Sequence, residues 1–565
     1  MDPLTPRAAL GALERWKDRY AGEAAARKRA LLRRLTTARL ESARDVERLH
    51  EALCFLHAYP DDGEMLARVR RLLARFDRRS DLGSHAEDLA GSGIAGTPTD
   101  YRFYYPTARW LAARWPRQLA IDWDEFENHE RMLPLLSQLA LPAEQPAVDE
   151  LDETLRQWIE RLRRKDETDA AFLARRFAEL PMDDAAHEAL WDSFDVPMRL
   201  AAARGTPART RARVDFGAPI HFQTGPLSRT RPDLANELPQ EPQAVFDLTP
   251  RQGAELVDLA RVSMVTRQRD LDAFAWGDPR DVRLVDYGDG LQFAAIGMVP
   301  SHRLLLESVY GYLTLKNGVP LGYVLTSALF GSSEVAYNVF ETYRGAEAGP
   351  IYGKVLAMTR HLFGSDSFTV DPYQLGHENE EGIESGAWWF YYKLGFHPRD
   401  AEVRRVLRTE RARMKRRPAH RSSPGTLRKL ARANVYYHAG PERDDVLGLI
   451  PLARIGLAVT RSLSRRFGSD RERGARVCAS EAMASLGVSS IAAWPPDERE
   501  AFRRWAPLVV LLRVARWSVA ERRGLVEVIR AKGGRRESDY VHRFNAHRKL
   551  RAAILRLSRQ PDRTS

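Results

Sequence analysis

The residues whose types and spacing could carry chemistry lie between residues 335 and 400. A β-rich run, residues 335–340, leads through Glu341 into Arg344 and Gly345, and residues 351–363 follow with helical spacing. A helix N-terminus presents unpaired N–H groups and a positive dipole end, so this loop could hold a phosphate. Glu341, at the strand end, could accept a proton from a nucleophile. A strand-to-helix turn without ligand and a solvated or salt-bridged glutamate are the alternatives.

A second polar stretch, residues 371–381, lies between a predicted strand and a predicted helix, where α/β folds commonly place binding residues. Gln374, His377 and Asn379 are its candidate substrate-binding side chains. The alternative for Asn379 is an N-cap of the following helix, and we expect that role for it. His377 precedes a glutamate but lacks the second histidine of a zinc-binding helix, so no metal site is predicted.

A hairpin and a strand-helix-strand unit must position these residues. Two β-rich runs, residues 312–316 and 322–326, flank Asn317-Gly318, which is a strong hairpin signal. The strand at residues 335–340, the helix, a strand at 368–370 and a helix ending at Gly395-Phe396 complete the pattern. Thr249 followed by Pro250 predicts the start of a helix that opens this module.

This order of elements resembles the core of the GNAT superfamily of acyl-CoA N-acyltransferases, over residues 285–400, about a fifth of the chain. The family's loop pattern, Arg/Gln-x-x-Gly-x-Gly/Ala, matches Arg344-Gly345-Ala346-Glu347-Ala348-Gly349 at its first and sixth positions. The last helix ends Tyr391-Tyr392-Lys393-Leu394-Gly395-Phe396, very like the family's ending. Glu347 departs from the pattern because it stands where the family has glycine.

The resemblance implies an enzyme that moves an acyl group from acyl-CoA, or a related carrier, to a small-molecule or peptide amine. Tyr391 would protonate the leaving thiolate and Glu341 would be the base; Gln374, His377 and Asn379 would bind the acceptor. The pyrophosphate would lie on Arg344, Gly345, Ala346, Ala348 and Gly349. Glu347 would repel that pyrophosphate, and Tyr391 has the alternative role of a packed aromatic side chain.

Length and composition predict several domains in an α/β (α+β) chain. At 565 residues and 64.2 kDa, the chain is longer than the chains that usually fold around a single hydrophobic core. Helical periodicity predicts a helical domain at residues 1–204. Residues 205–245 are rich in proline and predict a linker or wrap. The GNAT-like mixed-sheet module takes residues 246–400, and residues 401–565 predict a basic helical domain.

Charge and cysteine content bear on compartment and partners. Only Cys54 and Cys478 are present, which excludes a disulfide framework, and we expect a cytoplasmic protein without a membrane span. Residues 401–565 contain 38 Lys+Arg and 16 Asp+Glu, a net charge of +22, so the overall +12 leaves −10 for residues 1–400. Such asymmetry suggests an anionic partner.

Two functions compete with acyl transfer. The chain could be a non-catalytic GNAT-fold protein for binding or assembly. It could also be RNA-associated through its basic third, with phosphate contacts from Arg411, Arg413, Lys415, Arg416 and Arg417 that weaken steeply with salt. Solvated helix faces, or docking onto the acidic first 400 residues, explain the same charge without nucleic acid, and we favour that explanation.

Overall fold

A computed structural model of the chain describes residues 5–560, apart from the side chains of residues 136 and 137. The chain divides into two compact units. Unit 1 contains the residues up to Leu227, with Glu255–Trp276 and Lys316–Leu321. Unit 2 contains Ser228–Ala254, Gly277–Leu315 and the residues from Gly322 onward.

The first 227 residues are mainly helical. Their elements are α1 (Pro6–Trp16), α2 (Ala24–Thr37), α3 (Ala43–Ala58), α4 (Gly63–Ala74), α5 (Ser80–Ser84), β1 (Thr99–Tyr101), α6 (Tyr105–Arg114), β2 (Leu119–Ile121), α7 (His129–Met132), α8 (Leu136–Leu139), α9 (Gln145–Glu150), α10 (Leu155–Leu162), α11 (Asp169–Ala178), α12 (Asp184–Phe194) and β3 (Met198–Leu200). Side-chain caps start several helices: Ser42 accepts from the Asp45 N–H, and Asp62 from the Met65 N–H.

Unit 1 has two apolar cores. One joins the leucine-rich faces of α1 to α4, and the other surrounds the antiparallel sheet of β1, β3 and β2 and contains Trp158, Trp191 and Phe177. The three strands are a correction to the predicted all-helical segment at residues 1–204. Each strand is only three residues long, too short for an alternating pattern to be visible in the sequence.

Two histidines of α3 are buried in unit 1 and should make it sensitive to acid. Burial lowers the pKa of His50 to about 4 and that of His57 to about 3. In the unfolded chain both histidines become protonated near pH 6.5, whereas in the folded chain they stay neutral to a lower pH. The free energy of unfolding therefore decreases as the pH falls below 6.5. We expect His50 alone to lower the free energy of unfolding by roughly 3 kcal/mol between pH 6.5 and pH 4.

Urea unfolding followed at several pH values measures this effect. The His50→Gln variant keeps an acceptor for the Thr210 hydroxyl, which lies 2.7 Å from His50 Nε2, but removes the titration. Its stability should therefore fall less on acidification than that of the wild type. Equal slopes in the two proteins would contradict the prediction, because carboxylates would then account for the whole acid response.

Residues 228–400 form most of a mixed sheet and the helices around it. The elements are α13 (Leu234–Glu237), β4 (Ala244–Asp247), α14 (Pro250–Val265), α15 (Asp272–Ala275), β5 (Gly277–Asp286), β6 (Leu291–Met298), β7 (Ser308–Lys316), β8 (Val319–Leu329), β9 (Ser332–Val339), α16 (Ala348–Phe363), β10 (Ser367–Val370), α17 (Pro372–Leu375), α18 (Glu380–Ser385), α19 (Ala387–Lys393) and β11 (His397–Pro398). Thr249 begins α14 as predicted, since its hydroxyl accepts from the Gln252 N–H at 3.3 Å.

The remaining residues add helices and one further strand. They form α20 (Ala401–Arg416), α21 (Pro424–Leu430), β12 (Val435–His438), α22 (Leu452–Phe467), α23 (Arg471–Leu486), α24 (Pro496–Leu511), α25 (Val519–Lys532), α26 (Glu537–Ala546) and α27 (Arg548–Ser558). The strand β12 corrects the prediction that residues 401–565 are helical throughout. Among the described residues, no helix is both long and apolar enough to cross a membrane.

The large sheet has nine strands in the order β11-β12-β10-β9-β8-β7-β6-β5-β4. The predicted hairpin joins β7 and β8: Asn317 and Gly318 both have positive φ, 52° and 76°, as a two-residue turn of this type requires. The strands β9 and β10 run parallel and are connected by α16, whereas β12 is antiparallel to β10. The chain therefore combines α-helices with a large mixed sheet.

Candidate functional site

The strands β9 and β10 separate where the candidate site lies. Their parallel ladder has three pairs, Ser332 with Ser367, Ser333 with Phe368, and Glu334 with Thr369. Beyond the last pair, β9 continues to Val339 beside β8, while β10 ends at Val370 and the chain turns into α17. The second half of β9 therefore has no ladder with β10, and alternate residues there direct backbone N–H and C=O groups away from β8.

Glu334 lies at this divergence and carries an unusual carboxyl group. Burial, together with the nearby carboxylates of Asp371 and Glu307, raises the pKa of Glu334 to about 7. Its side chain has no hydrogen bond or ion pair within residues 5–560. A carboxyl group with a pKa near neutrality can gain and lose a proton during a reaction.

The face of the sheet that carries Glu334 is acidic and polar. Side chains alternate along a strand, so Glu334 shares a face with Ser327, its partner on β8, and with Thr369 on β10. Tyr436 of β12 is opposite Thr369, and the charge of Glu334 contributes to raising the pKa of Tyr436 to about 12, after burial as the main cause. The face also carries a positive charge at β12, because the Arg399 guanidinium lies 5.5 Å from the centre of the Tyr436 ring and acts to lower the pKa of Tyr436.

Three tyrosines pack together on the opposite face of β9. The rings of Tyr337 and Tyr352 are 5.2 Å apart, and those of Tyr352 and Tyr391 are 5.5 Å apart. The Tyr337 hydroxyl donates to the carbonyl oxygen of Ala348 at 3.1 Å, whereas the buried Tyr352 hydroxyl has no hydrogen-bond partner in the part of the chain that the structure describes. Tyr391 is packed among aromatic rings, since Phe390 and Phe396 also contact it, whereas its sequence neighbours Trp388, Trp389 and Tyr392 contact one another.

The hydroxyl group of Tyr391 has a raised pKa. Burial raises its pKa well above the ordinary value of 10. A thiolate leaving group has a pKa of about 8.5, so full proton transfer from Tyr391 to it would be uphill. The hydroxyl, which has no hydrogen-bond partner among the described residues, is suited instead to donate a hydrogen bond to a developing negative charge.

The loop from Arg344 to Gly349 connects β9 to α16. Gly345 has φ of 81°, and a side chain there would meet no atom within 4 Å, so its backbone is open to a ligand. Arg344 is exposed and forms an ion pair with Glu381. Glu347 occupies the N-cap position of α16, where its side chain accepts no capping hydrogen bond. Ala346 is buried.

A segment that we name the strap, residues 230–241, lies along α16. A Cβ atom at Gly349 would be 3.2 Å from the carbonyl oxygen of Thr230, and one at Gly353 would be 3.1 Å from Pro232. Lys354 of α16 forms a 3.0 Å ion pair with Glu237 of the strap. The first turn of α16 is therefore covered at Gly349, and the covering atom is an oxygen, which disfavours an anion there.

The other predicted site residues are more scattered. Glu341 begins a short 3₁₀ turn after β9 and is exposed, and its side chain has no hydrogen bond or ion pair among residues 5–560. Asn379 is the N-cap of α18: it accepts from the Gly382 N–H at 3.2 Å and donates to the Tyr373 carbonyl at 3.0 Å. This confirms the predicted capping role. Gln374 is half-buried on α17, and His377 is exposed in the turn that follows.

Glu334 was not among the residues selected from the sequence. It is the only charged residue in residues 332–339, which form a strand with a neighbouring strand on each side. A single carboxylate inside such a run is a signal, because burying it without a partner is costly.

The arginine-rich helix α20 is the remaining predicted feature. Arg413 pairs with Glu410 at 3.2 Å, and the Arg411 guanidinium lies 5.8 Å from the centre of the Tyr392 ring. Lys415, Arg416 and Arg417 are at or near the exposed end of the helix. Some of these cationic side chains therefore already interact with other side chains of the protein.

Within the part of the chain that the structure describes, no group of three or more His, Cys, Asp or Glu side chains is placed to hold a metal ion. Comparison of the chain with protein-family models, with curated proteins and with solved structures found no match.

Proposed function

We propose that unit 2 transfers an acyl group from a thioester, either acyl-CoA or a related carrier, to a primary amine. One observation carries the proposal: Glu334, a partly buried carboxylate without a partner and with a pKa of about 7, lies where β9 loses its ladder with β10. An amine is protonated at neutral pH, and a base of this strength is suited to remove its proton.

The reaction needs three groups, and in this proposal the thioester lies in the gap where β9 has no ladder with β10, with Glu334 on one face of the sheet and Tyr391 on the other. Glu334 accepts the proton of the ammonium group, and the neutral nitrogen then attacks the thioester carbonyl carbon. Free N–H groups on the second half of β9 stabilise the oxyanion that forms. As the C–S bond breaks, the nitrogen releases its second proton to water, and the hydroxyl of Tyr391 donates a hydrogen bond to the sulfur, which leaves as a thiolate.

The charge around Glu334 indicates the class of acceptor. Asp371 and Glu307 are the other charged groups that act on Glu334, and both are acidic. Such a face attracts a cationic acceptor, for example a diamine or a peptide with a free amino terminus, and disfavours an acidic one. The donor's phosphates, in this proposal, contact the open backbone at Gly345.

A second candidate function is binding or assembly without catalysis. The observation that favours it is the strap, because the Thr230 carbonyl covers Gly349, where the resemblance implies a pyrophosphate. Glu347 at the N-cap adds a like charge to the same place. A protein of this kind would keep the sheet and the tyrosine cluster but would not bind an acyl donor.

Thermal unfolding in the presence of donors separates the two functions. We expect acetyl-CoA or a longer acyl-CoA, at about 100 times its Kd, to stabilise the chain by about 2.7 kcal/mol, which raises the unfolding temperature measurably. Adenosine diphosphate serves as a control for the phosphates alone. Absence of stabilisation by every acyl-CoA at millimolar concentration would reject acyl-CoA as the donor and favour the non-catalytic function.

A further inference from the structure

The helix α20 carries a line of unpaired positive charge that the proposed acyl transfer does not use. Its sequence contains seven Lys and Arg residues but only two Glu. Four of the cations are spaced by four, three and four residues, which places their side chains in a row along one side of the helix. We name this row the ridge. Its members are all exposed: Arg404, Arg408, Arg411 and Lys415.

No acidic side chain neutralises the ridge within residues 5–560. Three of its members have no ion pair or side-chain hydrogen bond there, and Arg411 has only a contact with the Tyr392 ring. The two glutamates of α20 pair with other arginines of the helix, Arg405 and Arg413. Neighbouring like charges on a helix repel each other, and ordinary solvated helix faces mix the two signs. The ridge therefore has the charge pattern of a surface that binds an anion.

Aromatic side chains lie beside the ridge. The Arg411 guanidinium is 5.8 Å from the centre of the Tyr392 ring. The rings of Trp389 and His397 are each 5.4 Å from Tyr392. Below them, the buried Trp388 stacks on Tyr392 at 5.2 Å and 13°, which holds that ring in one orientation. Trp389 and Tyr392 are partly exposed and His397 is exposed, and we name these three residues the platform.

Two hydrogen bonds fix the chain that follows α20 beside the platform. The Trp389 Nε1 donates to the hydroxyl of Ser422 at 3.0 Å. The His420 Nε2 lies 2.5 Å from the carboxylate of Glu410, which is buried on α20. The connection between α20 and α21 is thus held to both the helix and the platform. It adds a further exposed cation, Arg417.

We propose that the ridge and the platform bind single-stranded nucleic acid, with backbone phosphates on the ridge and bases stacked on the platform. Guanidinium and ammonium groups bind phosphate oxygens, and aromatic rings stack on bases of any sequence. An acidic membrane fits less well, because α20 has no exposed large apolar side chain to insert between lipids. A duplex also fits less well, since its bases are stacked on one another. The proposal is independent of acyl transfer.

Fluorescence anisotropy of a labelled oligouridylate of about twelve nucleotides, titrated with the full chain, tests the proposal. We expect saturable binding that weakens as salt is added. If about four phosphates are neutralised, the affinity should fall roughly fiftyfold between 50 and 200 mM salt. A duplex of equal length and vesicles that contain phosphatidylserine serve as competitors, and each should displace the oligouridylate at least tenfold less well than unlabelled oligouridylate. Equal displacement by either competitor would contradict the proposal.

Charge variants localise the binding to the ridge. Arg408→Gln with Lys415→Gln should weaken binding at least tenfold and reduce the salt dependence by about half, because two of about four phosphate contacts are lost. Arg454→Gln with Arg465→Gln is the matched control: both residues are exposed on α22, their side chains have no partner among residues 5–560, and the double variant removes the same charge. The control should bind like the wild type.

Platform variants test the stacking. Tyr392→Leu should weaken binding at least fivefold and leave the salt dependence unchanged, because it removes a stacking surface and no charge. His397→Ala changes an exposed side chain and should also weaken binding, so the test does not depend on the folding of one variant. Wild-type binding in the ridge variant or in both platform variants, an equal loss in the α22 control, or no binding at about 50 mM salt would overturn the proposal.

Discussion

Replacing Glu334 by glutamine is expected to reduce kcat/KM for acyl transfer by a factor of about 10²–10⁴, the range that a positioned general base contributes. Glutamine has nearly the shape of glutamate and can still accept a hydrogen bond, but it cannot remove a proton from an ammonium group. Because the Glu334 side chain has no partner in the described chain, its replacement breaks no ion pair, and the fold should be retained.

The pH profile gives this prediction a second, independent readout. With a pKa of about 7, Glu334 is protonated in acid and inactive as a base, so kcat/KM should rise tenfold per pH unit below pH 7 and level off above it. In Glu334→Gln this rise should disappear. Thiol release from acetyl-CoA and octanoyl-CoA, with diamines, amino acids and short peptides as acceptors, measures both proteins.

The same assay decides between the two glutamates of this region. Glu341 is exposed on a turn, and its carboxylate has no partner that would position it, so we expect Glu341→Gln to keep activity within a few-fold of the wild type. A large loss in Glu341→Gln with full activity in Glu334→Gln would reverse the assignment of the base. Unchanged profiles in both variants would exclude either carboxylate from proton removal.

Local signals in the sequence account for several elements of the α/β module. Asn317-Gly318 predicts the hairpin because its turn needs positive φ at both positions, and Thr249-Pro250 predicts a helix start because the hydroxyl can cap the first turn. Asn379 is similar. In each case the deciding interaction joins residues within a few positions of each other, so the sequence contains the whole cause.

Features that depend on distant parts of the chain were not predicted. The strand β12 enters the sheet only because β10 leaves an edge for it, and four residues carry little pattern of their own. The strap reaches α16 from more than one hundred residues away, and its contact at Gly349 depends on backbone atoms of Thr230. Glu334 acquires its raised pKa mainly from burial, and that burial depends on neighbouring strands that come from other parts of the chain.

A buried ionic cluster in unit 2 joins the sheet to helices α25 and α26. The side chains of Asp281, Arg303 and Glu537 are inaccessible to solvent, and Lys532 is nearly so. The Lys532 ammonium donates to Glu537 and, at 2.7 Å, to the carbonyl oxygen of Glu307. Arg303 donates to the carbonyl oxygens of Lys532 and Gly534 at 2.9 Å and 2.6 Å, which satisfies the end of α25.

Replacing Lys532 by methionine should therefore cost about 3–5 kcal/mol of unfolding free energy, because the Glu537 carboxylate stays buried without its closest cation. Burial lowers the pKa of Lys532 to about 8. Lysine can thus lose its proton when its partner is removed, and Glu537→Gln should cost less than Lys532→Met. The double variant removes both charges, so its loss should be smaller than the two single losses together.

Chemical unfolding of the four proteins completes this thermodynamic cycle, and an exposed pair on the same two helices provides the comparison. Arg543 of α26 is 3.2 Å from Glu527 of α25, and both side chains are about half exposed. Because water screens this pair, Arg543→Met should cost less than about 1 kcal/mol. If Lys532→Met and Arg543→Met destabilised the chain equally, burial would not govern the strength of these pairs, and the cluster would have no special part in holding α25 and α26 to the sheet.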